Sequence, residues 1–311
     1  MKRVRLSPSL AAFFALLIAA CDSASPRLGV DTPMLVPAAQ FVESPLPEGE
    51  DGPRVTFITT QNPTTYPGIA GKSFAGRVEA NAIAIAVAIP ELSDTHWILP
   101  AGATAPESPN ERSWSVEVDL ARDIPAGWHS LKVVGIDEEG TPSPARSIDL
   151  CFLPQIPDNG HTCDPDRALP GLVIALDFNV DADVDLEILM PDGRWLTPKT
   201  PLVIPPERSG EIDPSSPRLD RDSLSMCVAD GWNQETIAFA NRPEGPIGVY
   251  ARLYASCGHP SIRYRARLYE PNAEGTELEL MSEGHGAFLS RYDARGPAGA
   301  PAFILEWDEG E

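Results

Sequence analysis

Trp114-Ser-Val-Glu-Val-Asp-Leu120 alternates without a break: Trp114, Val116, Val118 and Leu120 fall on one side of an extended chain, and Ser115, Glu117 and Asp119 on the other. Side chains along a strand point to opposite faces in turn, so this stretch predicts a strand with one face on an apolar core and one in water. Outward from it, Val55–Thr59, Ser73–Val78, Ala82–Ile89, Ser130–Ile136 and Ala145–Phe152 read the same way. They are short runs rich in β-branched and aromatic residues, bounded by Gly, Pro, Asn and Asp. No long 3.6-residue periodicity appears, and the 33 prolines cluster between the runs, where all-β chains tolerate them. The expected fold class is all-β, with two tandem β-sandwich domains at 54–153 and 169–307, since about 260 residues suit two domains.

The chain opens differently. Lys2, Arg3 and Arg5 precede an uninterrupted apolar stretch from Leu10 to Ala20, and small residues, Ala19 and Ala20, precede Cys21. That stretch is too short to cross a hydrocarbon core, which takes about 20 helical residues. The pattern is that of a secretory signal over residues 1–20. Ile18-Ala-Ala-Cys21 resembles the lipobox of bacterial lipoproteins, which implies acylation of Cys21 and a lipid anchor in the cell envelope. Which membrane carries it is left open. Removing residues 1–20 takes away three basic side chains and no acidic one, so the net charge of −21 becomes −24. Such a charge disfavours nucleic acid.

Residues 21–53 hold six prolines, few large apolar residues and no periodicity. They read as a flexible tether of about 30 Å r.m.s. reach. Residues 154–168 read as a disulfide-bearing linker and 308–311 as an acidic tail. With Cys21 lipidated, Cys151, Cys163, Cys227 and Cys257 remain, an even number in an oxidising compartment. Three pairings are open; Cys151–Cys163 and Cys227–Cys257, nearest in sequence, are favoured. A zinc site with His161 near Cys163 is the competing reading, though no C-x-x-C occurs.

Two further resemblances concern fold. Pro125-Ala-Gly-Trp-His-Ser-Leu-Lys-Val-Val-Gly-Ile-Asp-Glu-Glu-Gly140 resembles the closing hairpin of bacterial immunoglobulin-like domains. Asp181-Ala-Asp-Val-Asp-Leu-Glu-Ile-Leu-Met-Pro-Asp-Gly193 resembles the opening of YfaP-like domains, an extracytoplasmic family of uncharacterised function. Gly210-Glu-Ile-Asp213, Asp220-Arg-Asp222, Glu235-Thr-Ile237 and Pro246-Ile-Gly-Val-Tyr250 follow in that family's order. Pre-peptidase C-terminal domains share a similar start. These resemblances imply β-sandwich accessory modules and carry no catalytic residue.

Two candidate sites emerge. Asp181, Asp183 and Asp185 share a strand face, opposite Leu186, Ile188 and Met190, and their mutual repulsion would be relieved by a hard cation. Asp213, Asp220 or Asp222 could complete such a set, and calcium is the cofactor it suggests; a solvated acidic edge is the plainer reading. Arg263, Arg265 and Arg267 alternate on a second strand, and pairing with the strand carrying Tyr250, Arg252 and Tyr254 would merge them into one Arg/Tyr surface for acidic glycans or carboxylates. Arg–Glu pairs with Glu277 and Glu279 would explain the same arginines without a ligand. The five histidines are scattered, and neither His-Glu-x-x-His nor Gly-x-Ser-x-Gly occurs. The expected function is a non-enzymatic envelope lipoprotein presenting two sandwiches for adhesion, scaffolding or binding of envelope partners. Polysaccharide or peptidoglycan binding is the alternative, and an extracytoplasmic hydrolase a more distant one.

Overall fold

The structure is a computed structural model that describes residues 26–59, 62–201, 217–219, 222–228 and 230–308. Cys21 and the signal-like segment lie outside the described residues, as do Asp213, Asp220 and residues 309–311. The described residues are almost wholly β, with a single one-turn α-helix, Ser290–Asp293. Four sheets enclose two separate apolar cores.

The first core forms where the alternating strand predicted it. Trp114, Val116, Val118 and Leu120 are all buried in the Ser108–Leu120 strand, which pairs with Lys72–Glu79 on one side and Met34–Leu35 on the other. Val55–Ile58 completes the far edge of that sheet. Trp114 lies across Gly76, where an added Cβ would come within 2.7 Å of the indole, so only glycine fits. The facing sheet runs Gln40–Val42, His96–Pro100, Ala84–Ala88, Gly127–Ile136, Arg146–Phe152 and Thr64–Thr65. The expected closing hairpin is present: Gly140 N–H donates to the Asp137 carbonyl, and Thr141 N–H to the Asp137 carboxylate.

The tether reading is corrected for its second half. Met34 and Val36 are buried in the first core, and the Trp97 indole N–H donates to the Met34 carbonyl at 2.9 Å. Gln40–Val42 pairs with His96–Pro100. Proline-rich composition hid these strands because edge strands accept proline, and each is too short to show a period.

The second core lies between a sheet ordered Arg218–Leu219, Gln234–Phe239, Leu172–Phe178, Ser261–Pro271, Leu278–Leu289 and a sheet ordered Trp195–Leu196, Asp183–Leu189, Ile247–Ala255, Ala302–Trp307. Both favoured disulfides form: Cys151–Cys163 with Cα atoms 6.0 Å apart, and Cys227–Cys257 at 5.5 Å. Cys163 is therefore no zinc ligand beside His161, whose Nδ1 sits 2.6 Å from the Arg167 carbonyl instead.

The merged Arg/Tyr surface does not form. Ile247–Ala255 and Ser261–Pro271 belong to different sheets, because Cys257 and Gly258, with φ of 50° and 93°, carry the chain across the sandwich instead of folding it into a hairpin. Arg263 and Arg265 are exposed on one sheet, and Arg267 pairs with Asp177 at 2.6 Å. The strand beside them is Leu278–Leu289, whose register sets Glu283 opposite Arg267, His285 opposite Arg265, and Glu279 opposite Glu270. Asp177 thus takes the place of the expected Glu277 and Glu279 partners at Arg267, and Glu283 stands opposite it in the register.

Candidate functional site

In the Asp183–Leu189 strand, Val184, Leu186 and Ile188 point into the second core, which turns Asp183, Asp185 and Glu187 to the outer face of the sheet. An outer face is normally wet. Here the turn around Ser225–Cys227, the Thr197–Lys199 segment and the Gly296–Ala298 turn stand over it, and all three carboxylates are buried. The result is a cavity of about 310 Å³ on the sheet surface, lined by Asp183, Asp185, Glu187, Asp222, Arg252 and Tyr254 among others.

The four acids are held differently. Glu187 is bound in both oxygens by Arg252, through Nε at 2.6 Å and Nη2 at 2.9 Å. Arg252 Nη1 also donates to the carbonyls of Gly299 and Pro297, tying the covering turn to the sheet. Asp183 accepts the Met226 N–H at 2.8 Å. Asp185 is 7% exposed and accepts no hydrogen bond from any described residue. Arg252 lies directly across from it in the register, but its fork is committed to Glu187. Asp222 reaches in from the loop before the Ser225–Cys227 turn, and one oxygen from each of Asp183, Asp185 and Asp222 lies within 4.8 Å of the others.

Burial is the first cause of the electrostatic load. It raises Asp183 from 3.8 to about 6, with Asp222 adding to the rise and the Met226 N–H opposing it. Asp185 is raised to about 7, by burial first and then by the charges of Asp183, Asp222 and Glu187, with the Arg252 guanidinium opposing the rise. Glu235, fully buried on the facing sheet, is pushed well above the ordinary glutamate value by burial, while it accepts N–H groups from Leu186 at 2.6 Å and Ser223 at 3.2 Å. It ties the acidic strand to the Asp222 loop from behind.

Asp183 and Asp185 therefore come together with Asp222 as the sequence suggests. Asp181 does not: it is exposed, and its Oδ1 accepts the Asn233 side-chain N–H at 3.1 Å. The regular strand begins only at Asp183, with a register shift between Asp183 and Val184, so strict alternation does not reach back to Asp181. Of the Arg/Tyr candidates, Arg252 and Tyr254 line this cavity, whereas Arg263, Arg265 and Arg267 lie on the other sheet. Glu187 joins this site from outside the aspartate pattern, and Glu235, whose place in the sequence is that of a family-like motif, backs it from the facing sheet; a glutamate inside an otherwise apolar strand run is the signal for such a buried, partnered acid.

The wall over the acids is strained. Leu224, Met226 and Cys227 all have positive φ (57°, 55° and 62°), as does Cys257, and non-glycine residues hold that conformation at a cost of about 1–3 kcal/mol each. The Cys227–Cys257 bridge clamps the turn to the end of the Ile247–Ala255 strand. Replacing both cysteines with serine is expected to lower stability by ~3–4 kcal/mol in urea unfolding, as opening a 30-residue loop implies. A change under about 1 kcal/mol would show that the turn holds its shape without the bridge.

A larger cleft, of about 740 Å³, lies beside the Cys151–Cys163 bridge and Trp128. Its polar groups are already used: Asp158 accepts from Gly160, Thr162 N–H and Thr162 Oγ1, and Asp164 pairs with Arg167. The acidic cavity differs in holding a carboxylate, Asp185, that accepts no hydrogen bond from any described residue.

The sequence matches no protein-family model and no curated protein. One solved structure, described as manganese lipoxygenase of Gaeumannomyces graminis with part of zonadhesin of Komagataella pastoris, is similar over 81% of this chain and 99% of its own, at 11% identity and a TM-score of 0.20. A similarity at that score carries no argument about this chain.

Proposed function

We propose that this chain is an exported, non-enzymatic lipoprotein, anchored to the bacterial envelope through Cys21, that displays its β-sandwich units for adhesion, scaffolding or partner binding, and that its second unit binds a divalent cation. Asp185 is the observation that carries the cation reading. A largely buried carboxylate that accepts no hydrogen bond from any described residue, beside two more carboxylates, is costly while the guanidinium next to it, Arg252, stays bound to Glu187. Two oxygens on one calcium, each 2.3–2.6 Å from it, lie at most about 5 Å apart, which the 4.8 Å span of the three side chains meets. All-carboxylate donors suit a hard cation such as calcium over zinc or copper. The resemblance of residues 181–193 to YfaP-like domains supports an extracytoplasmic accessory module. The lipobox-like start supports the anchor, and no helix among the described residues is long and apolar enough to cross a membrane.

Calcium titrated into the EDTA-stripped full chain is expected to bind at one site, with Kd on the order of 10⁻⁴–10⁻³ M, the range of extracellular calcium modules. At about 100 Kd it should add about 2.7 kcal/mol of stability, read as a rise in melting temperature of roughly 5–11 °C. Asp185→Asn should remove most of that rise while leaving the calcium-free melting temperature unchanged or higher. A chain whose melting temperature ignores both calcium and chelator would overturn the cation reading.

A further inference from the structure

A cation held by Asp183, Asp185 and Asp222 would take one protein oxygen from each, or more where a carboxylate binds through both. Calcium takes six to eight. Glu187 cannot supply more, because both its oxygens are bound by Arg252. The remaining positions face the cavity, whose volume of about 310 Å³ is at the small end of ligand sites. Tyr254, Thr197 and Lys199 stand on its walls with hydroxyl and ammonium groups.

One residue pair further along the same sheet face, the surface becomes aromatic. Tyr250 lies opposite Glu187 in the register, Phe303 lies opposite Tyr250, and Trp195 lies opposite Leu189. The three rings run across the sheet with centroids 4.9 Å and 5.4 Å apart, and Trp195 and Phe303 keep 38% and 56% of their surface exposed. Gly248 makes room for this strip: a Cβ there would meet the Tyr250 ring at 2.8 Å. Successive rings are turned by 58° and 69°, so they form a stepped strip instead of one plane.

We infer that this face binds a neutral polysaccharide, with two adjacent hydroxyls of one pyranose completing the coordination of the cation and the apolar C–H faces of the neighbouring sugar units resting on Trp195, Tyr250 and Phe303. The inference rests on the cation reading above and names the ligand of that same site. Three observations select the ligand. Three carboxylates, a divalent cation and the Lys199 ammonium on the wall leave the site itself near neutral, on a chain of charge −21 whose field repels anionic ligands. Open cation positions call for paired oxygens, which a vicinal diol offers at chelating distance and a peptide offers only one carbonyl at a time. Exposed rings next to that diol site match the alternation of polar edge and apolar face that a pyranose presents.

The test uses the full chain with calcium, and with EDTA, titrated calorimetrically with soluble mannan and with cellohexaose. Expected is binding of at least one of these with calcium, loss of that binding in EDTA, and weakening by at least about 10-fold in Trp195→Ala, with calcium affinity unchanged. Phe303→Ala, at a more exposed ring, serves as the second variant should Trp195→Ala prove unstable. Calcium binding with neither glycan bound would overturn the polysaccharide inference and leave the cation reading standing. Glycan binding that persists in EDTA, or that Trp195→Ala and Phe303→Ala both leave unchanged, would also overturn it. Absence of calcium binding itself would sink the cation reading, and this inference with it.

Discussion

Arg252→Ala is expected to destabilise the second unit by about 3–5 kcal/mol, the cost typical of breaking a buried ion pair from one side. Glu187 is 3% exposed and has both oxygens on Arg252, so the substitution strands a carboxylate next to Asp185 and Asp183. It also frees the Gly296–Ala298 turn, whose end is held by the same guanidinium. Arg252→Lys should recover only part of the loss, because an ammonium cannot present two parallel N–H groups to one carboxylate. Arg263→Ala, an exposed residue on the other sheet, is expected to change stability by no more than about 0.5 kcal/mol. Urea unfolding followed by far-ultraviolet circular dichroism reads all three. Equal small losses for Arg252 and Arg263 would mean that Glu187 is satisfied without its partner.

Removing residues 26–43 is expected to unfold the first unit, whereas deletion within a tether would leave its stability unchanged. Met34 is 1% exposed, and Met34→Ala alone should cost about 2–5 kcal/mol, as other large-to-small core replacements do. The deletion also strips the Trp97 indole N–H of its acceptor, a buried polar loss of about 1–3 kcal/mol, and leaves Ser108–Leu120 and His96–Pro100 as open edges. Limited proteolysis gives a direct reading: cleavage inside 54–153 should appear in the deleted chain and be absent from the intact one. Matching digestion patterns would restore the tether reading for this segment.

The Trp114–Leu120 pattern was readable because a half-buried strand writes its two faces into consecutive residues. The disulfide pairs were readable because each joins cysteines close in sequence, 12 and 30 residues apart, on segments that meet locally. The Asp183–Asp185 pair was readable for the same reason as the core strand. Asp181 was not, because a shift at the strand's start breaks the period.

Sheet membership lay beyond local reading. Ile247–Ala255 and Ser261–Pro271 both look like strands with polar and apolar faces, and a hairpin would have merged their arginines. Nothing in either strand's alternation says whether the five residues between them turn within a sheet or cross to the facing one. Long-range pairing is chosen by which surfaces bury the most apolar area together, a property of the whole assembly. The same holds for the acids: the alternation puts Asp183, Asp185 and Glu187 on one face, but a solvated edge and a buried cavity share that pattern. What separates them is the Asp222 loop, the strained Ser225–Cys227 turn and the Arg252 clamp arriving from distant parts of the chain. Local periodicity therefore sets the strands and their two faces, while the tertiary packing alone covers part of one face, buries Asp183 and Asp185 there and brings Asp222 to them, and partial burial is what strengthens their repulsion enough to call for a cation.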